Sequence, residues 1–410
     1  MNKDAHKRTS LLLLLLLVTV CCYFPIFFNG FLETWDDQWM VMNVYTEEGW
    51  KWENILTIFS EPYEKQYSPL VELNYLTIYS LIGYNPFAFH LVSLMWHLLC
   101  VILVFLFTKK LLNKKVDYHF EIAFITSLLF AIHPVNVEAV AWISAIKVPM
   151  YACFYILSLH LYIRYTENEK IFYYIGALLC FICSGLCKEQ AFIFPLTLIL
   201  LDWWIGRNYK NSNVWLEKCP FFITGIGFAL LTLQLQGYRS EAVTYTFFER
   251  IMFGCYSLFE YLTKAIVPFK LNYLYPFPTT HNGDIMPIHF YIYPFLIIGL
   301  IACFIYCHKK RIWIFGVIFF LINILLSLHI VAMPRLSIVA DRYLYLSLIG
   351  ILLLISYCIV NAYNNMKNKI VIILLFLLYG IYLGMYTFHY SAKWKDSTTV
   401  KEYLHKFLEK

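Results

Sequence analysis

Residues 9–32 run for 24 positions without a charged side chain, and uncharged runs of roughly 16 to 24 residues recur along the whole chain. An α-helix needs ~20 apolar residues to cross the hydrocarbon core of a bilayer, where every backbone polar group must be satisfied within the segment. A barrel would instead show strands of ~10 residues with alternating polarity. The chain therefore reads as an all-α polytopic integral membrane protein. Composition agrees, since 60% of the 410 residues are hydrophobic and 14% charged, against about 25% charged in soluble domains. The first run follows Lys3, Lys7 and Arg8 and holds seven consecutive leucines, as a secretory signal would. It is too long for one, and bulky residues fill 24–28, so a retained first helix is expected.

Spans are expected near 10–30, 86–108, 119–134, 148–164, 171–187, 190–206, 217–236, 289–307, 312–330, 342–361 and 369–390, about eleven in all. Lys109, Lys110, Lys114 and Lys115 mark one side, as do Arg207, Lys210 and Lys218, then Lys309, Lys310 and Arg311, then Lys367 and Lys369. Basic loops face the cytoplasm, which makes the N-terminus cytoplasmic and the C-terminus exoplasmic. The cytoplasmic segments then hold 17 Lys+Arg against 7 Asp+Glu, and the exoplasmic ones 15 against 19. Residues 251–270 are apolar, yet an extra crossing there would invert every later loop. Their Glu260 and Lys264, four apart, suit a helix lying at the interface. The same reading applies to 71–83, an interfacial helix in the first external loop.

One membrane domain is expected over 1–392, with external segments 31–85 and 237–288, followed by a short charged exoplasmic tail at 393–410. Internal repeats and a separate soluble domain are not evident. Of twelve cysteines, Cys180, Cys183 and Cys187 have ligand-like spacing. They fall in an apolar run, where cysteine acts as a small hydrophobe.

Sidedness gathers the polar residues at helix ends. Asp36 and Asp37 leave the first span; His133, Glu138 and Lys147 lie between the third and fourth; Lys188 and Glu189 lie between the fifth and sixth; Asp341 and Arg342 open the tenth. Singly these read as a solvated acidic pair, a helix end, a turn and a lipid-phosphate anchor. Together, on one face of a membrane where ionisable groups are expensive, they suggest one site.

The series NGFLETWDD, YSPLVELNYLTIYSLIGYNPFAFHLVSLMWHLL, HPVNVEAVAWISAIK, LCKEQAFIFPLTLILLDWW and ADRYLYLSLIG resembles the membrane domain of the transmembrane and tetratricopeptide-repeat-containing O-mannosyltransferases and their prokaryotic relatives. It resembles the protein O-mannosyltransferases more distantly, all within the GT-C glycosyltransferase superfamily. The resemblance implies about eleven spans, an active site at the exoplasmic leaflet, and a polyprenyl-phosphate-linked sugar as donor, mannose among the candidates. It implies Asp36 as the base that takes the acceptor hydroxyl proton and Asp37 as a neighbour that orients the acceptor or a metal. A second carboxylate beside the first raises the proton affinity of one member. Inverting transfer also needs cations for the departing phosphate: Arg342 leads, with Lys188 and Lys147 behind it. His133 and Glu138 are expected to contact sugar or phosphate, with Glu189 and Asp341 in the same donor site. Asp36 and Asp37 would be the ligands of a divalent ion if one is used; no other cofactor is expected.

The implied partners are the lipid-linked sugar, an exoplasmic protein or glycan acceptor and membrane lipids; nothing points to nucleic acid. The implied location is a bacterial inner membrane with a periplasm-facing site, or the endoplasmic reticulum membrane. The family commonly has Arg-Pro-Leu where this chain has Ser68-Pro69-Leu70, and a basic-acidic pattern where it has Lys147-Val148. Fourteen residues follow Asp396, fewer than the roughly 34 of one tetratricopeptide repeat, so no repeat array is expected in this sequence. Two alternatives are a transporter of lipid-linked glycans and an inactive scaffold of the same fold.

Overall fold

The structure, a computed structural model, describes residues 3–236, 245–278, 286–307, 310–330 and 337–408. Its helices follow the apolar runs: α1 Lys3–Tyr23, α2 Pro69–Ile82, α3 Pro86–Leu112, α4 His119–Ala131, α5 Lys147–Asn168, α6 Ile171–Cys187, α7 Phe194–Ile205 and α8 Cys219–Gln236. After these come α9 Phe247–Ile266, α10 Tyr293–Cys307, α11 Arg311–Ile324, α12 Leu344–Asn365, α13 Lys369–Ala392 and α14 Ser397–Leu408. Proline at the first positions of α2 and α3 starts each where its missing N–H is of no consequence. A two-stranded antiparallel ribbon pairs β1, Tyr275–Pro276, with β2, Ser337–Val339.

Each of the eleven expected runs carries a helix. Among the described residues, seven helices are long and apolar enough to cross a membrane, or eight if His119–Ala131 and Pro134–Ala141, bent by 51°, form one span. The chain is an integral membrane protein. The helices Ile171–Cys187 and Arg311–Ser327 are shorter, and α7 has 12 residues. The loop over residues 31–85 holds the expected helix α2. The segment expected at the interface is α9, which is outside the candidate spans and opens with a capping box between Thr246 and Glu249. Its Lys264 reaches Asp341 at 2.9 Å, so this ion pair joins α9 to the turn before α12.

In a lipid environment the hydrophobic effect does not drive helix against helix, so close packing and hydrogen bonds must. Serines supply them: Ser93 donates to Val140 O, Ser127 to Val101 O, Ser158 to Ala177 O and Ser184 to Tyr151 O, all at 2.6–2.9 Å. Each such bond contributes about 0.6 kcal/mol. Gly316 of α11 faces Gly350 of α12 so closely that a Cβ on either would collide with the other's carbonyl oxygen. The tail folds back. Gly30 N–H donates to Lys395 O (2.7 Å), Thr34 N–H to Ser397 Oγ (3.1 Å) and Lys401 Nζ to Thr34 Oγ1 (2.9 Å), which fastens the C-terminal segment to the start of the first external loop.

Candidate active site

Asp36 and Asp37 are adjacent, and they point to different places. A short helix, Asp37–Met40, begins at the second of them, and successive helical side chains diverge by about 100°. Asp37 is fully buried. One of its oxygens accepts Leu32 N–H at 2.7 Å; the other accepts Ser144 N–H at 3.0 Å and the Ser144 hydroxyl. These bonds tie the first external loop to the segment before α5. Asp36 is half-buried and lines a cavity of ≈ 320 Å³.

Burial raises the Asp36 carboxyl above its ordinary range, and Lys147, Arg342 and a hydrogen bond from Trp39 pull it partly back. A neighbouring carboxylate was the cause expected from the sequence. Burial comes first for both acids, and the neighbouring charge is a lesser cause that raises Asp37.

Lys147, Lys188, Arg342 and Glu189 line the same cavity as Asp36. The first turn of α5 carries Lys147, whose ammonium donates to Gln66 Oε1 at 2.8 Å. Its charge interacts with Lys188, Glu189, Arg342 and Asp36. Lys188 is buried at the break between α6 and the turn Glu189–Ile193, with its ammonium 5.8 Å from the Tyr343 ring centroid. Arg342 lies in the turn Asp341–Tyr343 before α12, its guanidinium 5.3 Å from the Trp142 ring and 5.1 Å from that of Tyr343. Such contacts fix a planar cation without removing its charge.

Glu138, His133 and Asp341 do not line this cavity. Glu138 is fully buried behind Arg342: one carboxylate oxygen pairs with the guanidinium and the other accepts Arg342 N–H at 2.8 Å. His133, also fully buried, caps the turn Pro134–Asn136 by accepting Val135 N–H at Nδ1, 3.4 Å away. Asp341 faces away from the cavity, towards Lys264 and the Tyr275 hydroxyl, which donates to it at 3.0 Å. Lys264 lies 3.4 Å from the Tyr275 ring centroid. Loop sidedness places a residue at one end of the bundle; it does not say which way the side chain turns.

Other lining residues escaped the sequence reading. Gln66 holds Lys147, and exposed Glu64 and Lys65 belong to the same loop. Ser68, noted in the sequence where the resemblance implies arginine, is the N-cap residue of α2 and lies at the cavity wall. Phe228, Leu231, Thr232 and Leu235 of α8 form one wall at helical spacing. Gly185 lets that wall come close, since a Cβ there would overlap the Phe228 ring. Glu72 of α2 is buried beneath the loop and accepts from Asn43 Nδ2 at 3.1 Å; burial pushes its carboxyl up to about 7.

Among the described residues, no three His, Cys, Asp or Glu side chains converge as a metal site needs. Asp37 has both oxygens engaged, so the acidic pair offers a divalent ion one facing carboxylate. The residues present do not fit the metal that the pair was expected to permit.

Comparison with known proteins finds similar sequences and a similar fold. Protein O-mannosyl-transferase TMTC2 of Mus musculus is 33% identical over 155 residues, 37% of this chain and 18% of that protein. Protein O-mannosyl-transferase TMTC1 of Homo sapiens is 30% identical over 167 residues, 38% of this chain and 18% of that protein. This chain is similar to the O-mannosyl-transferases. The matches span about a fifth of the length of those curated relatives. Among solved structures, the oligosaccharyltransferase of Archaeoglobus fulgidus in its apo form superposes with a TM-score of 0.51 over 95% of this chain and 56% of that one, at 13% identity. The fold of this chain therefore resembles that of the archaeal enzyme. No protein-family model matches the chain.

Proposed function

We propose that the chain is a membrane glycosyltransferase of eleven spans that moves a sugar from a polyprenyl-phosphate carrier to a hydroxyl of an exoplasmic protein or glycan, inverting the anomeric centre. One observation carries this reading: a half-buried carboxylate, Asp36, lines a single cavity together with Lys147, Lys188 and Arg342. Asp36 takes the proton of the acceptor hydroxyl as its oxygen attacks the anomeric carbon. The bond from that carbon to the phosphate oxygen breaks, and the three cations receive the negative charge that the phosphate gains. A carboxyl raised by burial holds a proton better than an exposed one, which suits a base. The apolar face of α8 suits the isoprenoid chain.

Asp37 then positions rather than reacts, because its hydrogen bonds hold the loop that presents Asp36. Glu138 orients Arg342 in the same sense. Similarity to O-mannosyl-transferases supports mannose as the sugar. The transporter reading calls for broken helices paired between two halves of the chain; among the described residues one bent pair occurs.

The test uses purified full chain, polyprenyl-phosphate mannose and a hydroxyl-bearing peptide, with the anomeric configuration of the product read by NMR. Glycoside of inverted configuration is expected. Movement of intact donor across sealed vesicles with no glycoside formed would overturn the reading.

A further inference from the structure

A second cavity, ≈ 480 Å³, opens at the other end of the bundle. Lys115, Lys310 and Arg311 line it together with Trp204 and Tyr357. From Leu344, beside Arg342, to Tyr357 is about 20 Å along α12 at 1.5 Å per residue. None of its lining residues belongs to the candidate active site. The walls come from four separate parts of the chain: the loop before α4, the end of α7, the start of α11 and the last third of α12.

The cations are held in place by the protein backbone and by rings. Lys115 Nζ donates to Trp204 O at 2.6 Å and Ile205 O at 3.0 Å. Lys310 Nζ donates to the Tyr357 hydroxyl at 3.1 Å. The Arg311 guanidinium donates to Trp203 O and lies 4.8 Å from the Trp203 ring centroid. Among the described residues no carboxylate forms a salt bridge with any of the three, and Asp117 is the acid among the lining residues. Burial and the nearby Arg311 charge lower the Lys115 pKa, so positive charge is crowded here.

The backbone adds to the field. α11 begins at Arg311, and its N-cap Lys310 makes no side-chain capping bond. The first N–H groups of a helix lack intrahelical acceptors and carry partial positive charge, so they attract anions. Arg311 and Ile312 of that first turn both line the cavity. These basic residues also mark the face that the positive-inside pattern assigns to the cytoplasm, where anionic lipids are enriched.

We propose that this cavity binds the phosphate of an anionic lipid headgroup at the membrane face opposite the candidate active site. The ligand chemistry is a phosphate ester met by two ammonium groups, a guanidinium and a helix N-terminus, with Trp204 and Tyr357 at headgroup depth. Lipid anchored there ties α7, α11 and α12 to the leaflet.

The test reconstitutes the full chain in phosphatidylcholine with a small fraction of phosphatidylglycerol and counts co-purifying lipids by mass spectrometry. The native chain should retain phosphatidylglycerol. Retention should weaken about fivefold for each cation removed across Lys310→Gln, Arg311→Gln and the triple variant with Lys115→Gln. The single variant Lys310→Gln, whose backbone role is unchanged, keeps the test open if the triple variant does not fold. Equal retention of phosphatidylglycerol by all variants, or equal retention of phosphatidylcholine by the native chain, would overturn the proposal. In a parallel arm, inorganic phosphate is added to lipid-depleted protein. Thermal protection by phosphate matching that by lipid would assign the cavity to free phosphate and overturn the lipid assignment.

Discussion

Two cavities at opposite ends of α12 both gather lysine and arginine beside aromatic rings, and they differ in what holds the charge. At the end that holds the candidate active site Arg342 is backed by a fully buried carboxylate, Glu138, and a half-buried one, Asp36, lines the same cavity as the cations. At the other end backbone carbonyls and a tyrosine hydroxyl hold the cations, and the acid that lines the cavity, Asp117, is exposed. Positive charge gathered at a helix end thus suits phosphate in either place. What sets the first cavity apart is a carboxylate with its proton affinity raised by burial, in a loop fastened by the hydrogen bonds of Asp37.

The largest expected effect breaks that comparison directly. Asp36→Asn should lower sugar transfer by about 10²- to 10⁴-fold, the range ascribed to general base catalysis, whereas Asp117→Asn should leave it unchanged. Steady-state transfer by the two variants reads this.

Next comes the support of Arg342. Replacing it with alanine leaves Glu138 as a buried, uncompensated charge, which destabilises by about 3–5 kcal/mol. Thermal unfolding should therefore fall sharply for Arg342→Ala and recover in Arg342→Ala combined with Glu138→Gln. Transfer should stay low in both. At the other cavity Arg311→Gln leaves no buried acid behind, so its unfolding temperature should hardly move.

A smaller effect depends on pH. Glu72 has an ordinary value of 4.5 and is pushed up to about 7 in the folded protein by burial. Between these values the native state keeps a proton that the unfolded state has released. Stability therefore falls as pH rises from 4.5 through about 7, on the order of 3 kcal/mol over the window. Glu72→Gln should flatten that slope in a pH series of unfolding measurements.

The smallest change concerns Asp37. Removing its carboxylate in Asp37→Ala leaves Leu32 N–H and Ser144 N–H without their acceptor, a loss of about 1–3 kcal/mol. Transfer per folded molecule should fall less than in Asp36→Asn. An equal fall would assign Asp37 a reacting role.

The helices were legible in the sequence because a lipid-crossing helix leaves a plain record: an uncharged run bounded by charge. The end at which Asp36, Lys147, Lys188, Glu189 and Arg342 meet was legible for the same reason. Side-chain direction was not. Asp36 and Asp37 differ by one position, and only the hydrogen bonds from Leu32 and Ser144 decide which of them is spent on the fold. Glu138 reads as an active-site acid until its partner Arg342 is located, 204 positions away. Gln66 and the α8 wall left no charge signal at all, and their place follows from packing against loops distant in sequence. Lys264 was paired with Glu260 by spacing alone, while the burial of Asp341 demanded the same ammonium.

The central claim, that Asp36 does the chemistry while the cations opposite hold the donor, is tested most directly by measuring donor binding and single-turnover transfer together in Asp36→Asn. The account predicts polyprenyl-phosphate mannose bound with native affinity and sugar transfer lost. Transfer at the native single-turnover rate in that variant would contradict it.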